Sequence, residues 1–328
     1  MGKANSARSG LTKKVLAIKE NRWLERLMPI VILLVLVAFF SVMTQGRFSS
    51  TRNLKVVLDQ SLVIATVATG ASFIFATGNV NIAMGACTAL TATIAAKLYL
   101  ATESVAAMMV VAVLFGMVLL LLCAFLSTIF KVRVMFVTIV MMVLLANIKA
   151  EIMHGETITV PYAVTAALQK AYVPYIVFAA FFIFCFVIFH CTAVGRSIKS
   201  VGSNTVCSEQ TGIFRNKWLT VAFVIAGIGV GLGAVLTIIR TGTITNNTAS
   251  SMNMDCMLAI VLGGMPVYGG SRSRTYAAVI GAMTVAVLNN GLPMIGVDSM
   301  ILQGVRGVLF LILVLAGSER PELLPARE

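Results

Sequence analysis

The sequence predicts an all-α, polytopic helical membrane protein of about ten transmembrane segments (eight to ten), some of them broken or re-entrant. Three observations lead there. Of the 328 residues, 59% are hydrophobic and only 11% are charged, against roughly 25% charged in an ordinary soluble domain. The mean hydropathy is +0.97. The apolar residues form continuous runs near the ~20 residues that a helix needs to cross a bilayer, not the ten-residue alternating segments of a membrane β-barrel. A soluble enzyme is excluded because too few polar residues remain to cover an outer surface. Disorder is excluded because it requires low hydrophobicity.

The chain begins with a basic tail, residues 1–28, holding Lys3, Arg8, Lys13, Lys14, Lys19, Arg22 and Arg26. An apolar run over 29–44 follows. No small-x-small cleavage site ends it, so it reads as an uncleaved first span behind a cytoplasmic tail. Further apolar segments lie at 58–77, 82–100, 105–129, 134–150, 172–190, 218–239, 254–270, 276–291 and 298–317. Residues 29–317 are therefore one transmembrane domain, and 318–328 form a short cytoplasmic tail. Ten crossings place both termini on one side. With that side inside, the inner segments carry 17 Lys and Arg and the outer ones seven, in the sense of the positive-inside rule. Arg47, Arg52 and Lys55 run against the trend. The net charge of +13 thus reflects topology, not nucleic-acid binding.

Catalytic and metal signatures are missing from the sequence. His154 and His190 have no second ligand at metal spacing, and there is no phosphate-cradling GxxxxGK[ST]. None of the six cysteines forms a CxxC pair, so they read as small buried hydrophobes. The expectation is a chain that is not an enzyme and carries no cofactor. Asp59, Asp255 and Arg306 are the only ionisable residues placed to lie within spans, too few for an ion-driven carrier of the usual kind. Transport energy is therefore expected from outside the chain.

Two glycine-flanked breaks interrupt the apolar pattern, at Gly78–Gly85 and at Gly263–Gly270. Paired breaks in the two halves point to a transport pathway, although glycines also serve tight helix packing. Asn79, Asn81, Met265 and Tyr268 are the candidate pathway residues. An amide or a tyrosine ring at such a break can meet a hydroxylated solute.

The polar stretch 191–217 carries Gly195-Arg196-Ser197-Ile198 and Gly202-Ser203-Asn204, then Thr211-Gly212-Ile213. This pattern resembles the cytoplasmic loop of the ribose/xylose/galactose-type permeases of bacterial ABC importers. The likeness extends over about 45–316, through Phe48–Leu54, Val137–Met142, Val261–Gly264 with Gly269-Gly270, and Leu288–Leu292. The resemblance implies a transport subunit of the bacterial inner membrane that forms a homodimeric pore for a monosaccharide or related polar solute. It also implies a separate cytoplasmic ABC ATPase subunit and a periplasmic or extracellular solute-binding protein. Loop 191–217 is then the ATPase-coupling element. Gly195 and Gly202 are expected to set its turns, and Arg196, Asn204, Glu209 and Gly212 to contact the motor, with lipid headgroups as the alternative partner of Arg196. The chain departs from the family pattern where Asn79, Asn81 and Ala83 replace a glycine, an aspartate and a serine, and where Ser271-Arg272-Ser273-Arg274 replaces a glycine-rich stretch. Import of a nucleoside or a sugar-derived signal, and a stand-alone ion-coupled transporter, are the competing readings.

Overall fold

The computed structural model describes residues 22–317, except Val267. Most of the basic tail 1–28 and all of 318–328 lie outside the described residues. The chain is helical almost throughout. In order come α1 (Arg22–Met43), α2 (Thr51–Ala76), α3 (Met84–Thr102), α4 (Val105–Ile129) and α5 (Val134–Met153). A two-residue strand β1 (Ile158–Thr159) leads to α6 (Tyr162–Lys170), α7 (Val173–Cys191), α8 (Ala193–Ser203) and α9 (Thr205–Gln210). The long α10 (Arg215–Thr241) leads to β2 (Thr243–Ile244), α11 (Met252–Leu262), α12 (Thr275–Met294) and α13 (Ser299–Gly317).

Seven of these, α2, α3, α4, α5, α7, α10 and α12, are long and apolar enough to cross a membrane. Three shorter apolar stretches, Leu27–Met43, Met252–Leu262 and Ile301–Leu311, lie within α1, α11 and α13. The apolar runs are thus helices, as the composition requires: with no water to satisfy backbone groups, a segment must bond internally. One detail differs from the sequence reading. The run 254–270 is helical only to Leu262, because Gly264 at φ +83° and Pro266 cannot continue the helix. The polar stretch 191–217 contains α8 and α9.

Burial divides the helices into two groups. α2, α3, α10 and α12 are mostly enclosed, whereas α4, α5 and α7 turn most of their apolar surface outward. The centre is built on α10. Its sequence Gly227-Ile-Gly-Val-Gly-Leu-Gly233 places glycines on two opposite faces, since residues two apart on a helix point about 200° apart. Gly227 and Gly231 meet α4: a Cβ there would lie 2.6 Å from Met117 Cα and 2.5 Å from Ala112 O respectively. Gly229 and Gly233 meet α2, where added Cβ atoms would press on Thr66 O, at 3.1 Å, and on the Val67 side chain. Such small-residue faces let backbones approach and gain dispersion contacts where lipid offers no hydrophobic drive.

The bundle has two distinct ends. At one, the breaks after α2 and α11 meet α8: Gly270 N–H donates to Ala76 O at 3.1 Å and Ser271 N–H to Ser203 Oγ at 3.0 Å. At the other, β1 pairs antiparallel with β2, Ile158 opposite Ile244. Gln169 of α6 there donates to Ile239 O at 2.9 Å.

One buried ionic cluster ties three helices together. Arg306 of α13 lies 3.4 Å from Asp255 Oδ1 of α11. Its guanidinium also donates to Asn289 Oδ1 of α12, at 3.0 Å from Nε and 2.6 Å from Nη2. Ser251 Oγ donates to Asp255 Oδ2 at 3.2 Å. All three core residues are buried, so each charge depends on the other. Removing one partner of such a pair typically costs about 3–5 kcal/mol, whereas replacing both by apolar groups is close to neutral. Thermal unfolding in detergent should therefore show Asp255→Leu and Arg306→Leu each strongly destabilised and the double variant restored towards wild type. Additive losses in the double variant would show that the pair is not coupled.

Candidate functional site

The two sequence-predicted breaks come together in space. Gly269 and Gly270, at φ +71° and +90°, bring their backbone against Phe75, Ala76 and Gly78. The third member of this junction is Gly202 of α8, where a Cβ would collide with Ala76 O and sit 2.8 Å from Gly270 N. The four candidate pathway residues are placed differently within it. Asn81 is buried, and its Oδ1 accepts from Ala83 N–H at 2.8 Å, so the amide satisfies a donor at the start of α3. Its Nδ2 is buried without a partner. Asn79 turns back on Thr77, donating to its carbonyl and hydroxyl oxygens at 3.2 and 3.0 Å. Met265 is buried and Tyr268 is exposed.

The proposed coupling residues also separate into two sets. Gly195 and Gly202 do not form turns, contrary to the sequence expectation. Both lie inside α8, where the close approach of Phe189 and of Ala76 leaves no room for a side chain. The turns fall at Asn204, whose Oδ1 accepts from Cys207 N–H at 3.1 Å to cap α9, and at Gly212, at φ +81°. Arg196, Asn204, Glu209 and Gly212 are exposed along the outer side of this α8–α9 unit. Lys199 faces inward, its Nζ 4.2 Å from the centroid of the Phe189 ring. Burial lowers its pKa from the ordinary lysine value.

A third feature lies on the membrane-embedded face, in a groove of about 340 Å³ between α3, α5 and the segment 246–253. Asn147, Lys149, Asn246, Thr248, Ser250 and Asn253 supply its polar lining. Lys149 is buried, and its ammonium donates to Asn246 O at 2.6 Å and more weakly to Thr248 O at 3.5 Å. Asn253 accepts from Gly85 N–H and donates to Met142 Sδ at 3.2 Å. Since Met142 lies near the middle of α5, polar groups extend from the helix end to mid-depth. Such groups facing lipid would be costly, and in membrane proteins they face a bundle interior or water.

Comparison with known proteins now bears on this architecture. The family described as branched-chain amino acid transport system / permease component matches residues 53–315. The chain belongs to that family. It is 25% identical over 307 residues to the ribose import permease protein of Escherichia coli K12, covering 91% of this chain and 95% of that one. It is 25% identical over 270 residues to the galactofuranose transporter permease protein of the same organism, covering 80% and 79%. Over 145 residues it is 30% identical to the autoinducer 2 import system permease protein of Salmonella paratyphi B, covering 44% and 43%. No solved structure matches. The chain is a multi-pass permease of the bacterial inner membrane.

The permease groove was not picked out from the sequence. Its one signal there is a pair of polar residues, Asn147 and Lys149, at the end of an apolar run, facing a polar stretch a hundred residues away. An aqueous thiol reagent checks its exposure. In a background with the exposed Cys191 and Cys207 changed to serine, Asn147→Cys and Asn246→Cys should label, whereas the outward apolar position Val110→Cys should not. Met265→Cys should resist and Tyr268→Cys should react. Equal labelling at Val110 and Asn147 would place the groove in no special environment.

Proposed function

We propose that this permease is the transmembrane subunit of an ATP-driven ABC importer that carries a monosaccharide or related polar solute. The observation that carries the reading is the polar groove on an otherwise apolar face. Its volume is within the roughly 300–1,000 Å³ of small-molecule sites, and its amides, hydroxyls and one ammonium suit a hydroxylated solute. The ribose and galactofuranose permeases among its relatives support a sugar. A sugar-derived signal is the second reading, favoured by the autoinducer 2 relative. In this reading two copies enclose the groove, a solute-binding protein delivers to the end bearing the β1–β2 ribbon, and an ATPase subunit docks on α8–α9. The breaks with Asn79, Asn81, Met265 and Tyr268 then serve as the transmission between motor and pathway.

A stand-alone ion-coupled transporter is disfavoured. Its coupling site would need free ionisable groups within the spans, whereas Asp255 and Arg306 pair with each other, Asp59 accepts from the Tyr175 hydroxyl at 2.8 Å and Lys149 donates to Asn246 O. The orientation follows from charge. Among the described side chains, the α8–α9 end carries Lys131, Arg133, Arg196, Lys199, Arg215, Lys217, Arg272 and Arg274 against the carboxylate Glu209 alone. We assign that end, both termini and the tails 1–28 and 318–328 to the cytoplasm. A membrane-impermeant thiol reagent should therefore label native Cys207 in inverted vesicles but not in spheroplasts, and the opposite pattern would reverse the assignment.

Function is tested by purification from the native host in mild detergent, followed by ATPase assay with a panel of pentoses, hexoses and sugar phosphates. An associated ATPase stimulated by one such solute is the expected result. Ion-gradient-driven uptake by this chain alone would overturn the reading. Gly202→Ala probes transmission, because its Cβ would meet backbone on two sides and neither wall can yield. Overpacking of this kind costs roughly 1–3 kcal/mol, so solute-stimulated hydrolysis should fall by about tenfold while the permease stays in the membrane. Unchanged stimulation would place the coupling contact elsewhere.

A further inference from the structure

Two cavities adjoin at the basic end of the bundle, and Thr128 lines both. The first is an apolar groove of about 360 Å³ between α4 and α10, walled by Val118, Leu121, Leu122, Phe125 and the two threonines Thr128 and Thr220. Both threonine hydroxyls donate to their own helix, to Ala124 O and Asn216 O at 2.9 Å each, so the wall presents no free hydroxyl hydrogen. The second cavity is polar, about 270 Å³, and is lined by Lys131, Arg133, Arg215 and Asn216. Among the described residues no carboxylate pairs with any of these three cations. The first turns of α5 and α10 open nearby without side-chain caps, leaving amide donors that favour an anion. Trp218 lies at the same level, one turn into α10, with Lys217 Nζ 5.6 Å from its ring centroid. Phe130 and Phe214, next in sequence to Lys131 and Arg215, are exposed. An aromatic and basic girdle of this kind marks the lipid headgroup level.

We propose that this composite site binds one anionic phospholipid, with the phosphate diester among Lys131, Arg133 and Arg215 and an acyl chain along Val118, Leu122 and Phe125. Neither cavity alone indicates a lipid. Their continuity does, because it sets three positive charges, unpaired with any carboxylate among the described residues, at the head of an apolar trough running along the spans. The ligand sits against α10, the helix at the centre of the bundle, and against the start of α5, whose later residues Met142 to Lys149 form one wall of the polar groove. The site therefore couples lipid composition to the packing of these helices. It is independent of the solute carried.

The test is native mass spectrometry of the full-length permease purified in mild detergent and titrated with phosphatidylglycerol, phosphatidylcholine or soluble glycerol 3-phosphate. Phosphatidylglycerol should be retained in preference to phosphatidylcholine, and retention should drop roughly fivefold for each cation removed in Lys131→Gln, Arg133→Gln and Arg215→Gln. Leu122→Trp, which fills the trough and leaves every charge in place, should also lose the lipid. Glycerol 3-phosphate should not hold on its own. Elution profile and melting temperature identify any variant that has failed to fold, and the three single substitutions give independent readings. Equal retention of the two lipids, or retention unchanged by the charge variants, would overturn the proposal. So would tight binding of glycerol 3-phosphate alone, which would make this a soluble-anion site. Disulfide cross-linking of Phe125→Cys to a second copy in native membranes would show instead that the trough is a protein interface.

Discussion

The close approach of three backbones at the middle of the bundle is the contact on which the remaining packing depends. In lipid, apolar side chains gain little by leaving one hydrocarbon surface for another, so helices associate through dispersion contacts and polar bonds. Dispersion falls off within an ångström of contact, which rewards surfaces that can come nearest. The interleaved glycines of α10 supply two such surfaces back to back. One seats α4 and the other seats α2. Once α2 is fixed, its far end fixes where the break after Ala76 falls, and α8 and the segment 268–271 close upon that break. The enclosed helices are thus ordered outward from α10, and the more exposed α5 and α7 are added at the rim.

Polar interactions have a narrower role. The Asp255–Asn289–Arg306 cluster links α11 and α12 to α13. Asn81 and Asn253 handle the first amides of α3, one from its own turn and one from across the groove. Asn81 illustrates how a family departure is absorbed. An aspartate at this place would accept the same helix-start hydrogen bond with a stronger, charged acceptor. The amide keeps that bond and adds a buried N–H that has no partner, so the departure changes the charge of the break without removing its cap.

Much of the architecture was legible in the sequence because a bilayer imposes a simple demand. A segment such as 105–129 has one way to exist there, and its length and composition announce it. The breaks at 78–85 and 263–270 were legible for the same reason, since glycine and proline interrupt a pattern that is otherwise continuous. The uses of particular residues were less visible. Gly195 and Gly202 look identical to turn glycines in a polar loop, and only the approach of Phe189 and Ala76 shows them to be packing positions. Gly227 to Gly233 could be read as small residues, yet the alternation between two faces has meaning only when α2 and α4 are both present. The polar groove was hidden because α5 contributes two of its polar residues and the 246–253 segment contributes the other four, and each group is ordinary alone. Asp255 and Arg306 stood out as ionisable residues in apolar surroundings, but their partnership spans 51 positions and belongs to the tertiary structure.

The length of α10 and the location of its contacts have a mechanical meaning. The helix has 27 residues, about 40 Å from end to end, and its glycines clasp it near the midpoint. A stiff rod held at its middle behaves as a lever about a fulcrum. A tilt of about 10° would carry each tip by about 3 Å in opposite directions. One tip begins at Arg215, directly after α8 and α9. The other ends at the β1–β2 ribbon beside the outer groove. Opening at one surface is then geometrically tied to closing at the other, through a single helix that need not bend.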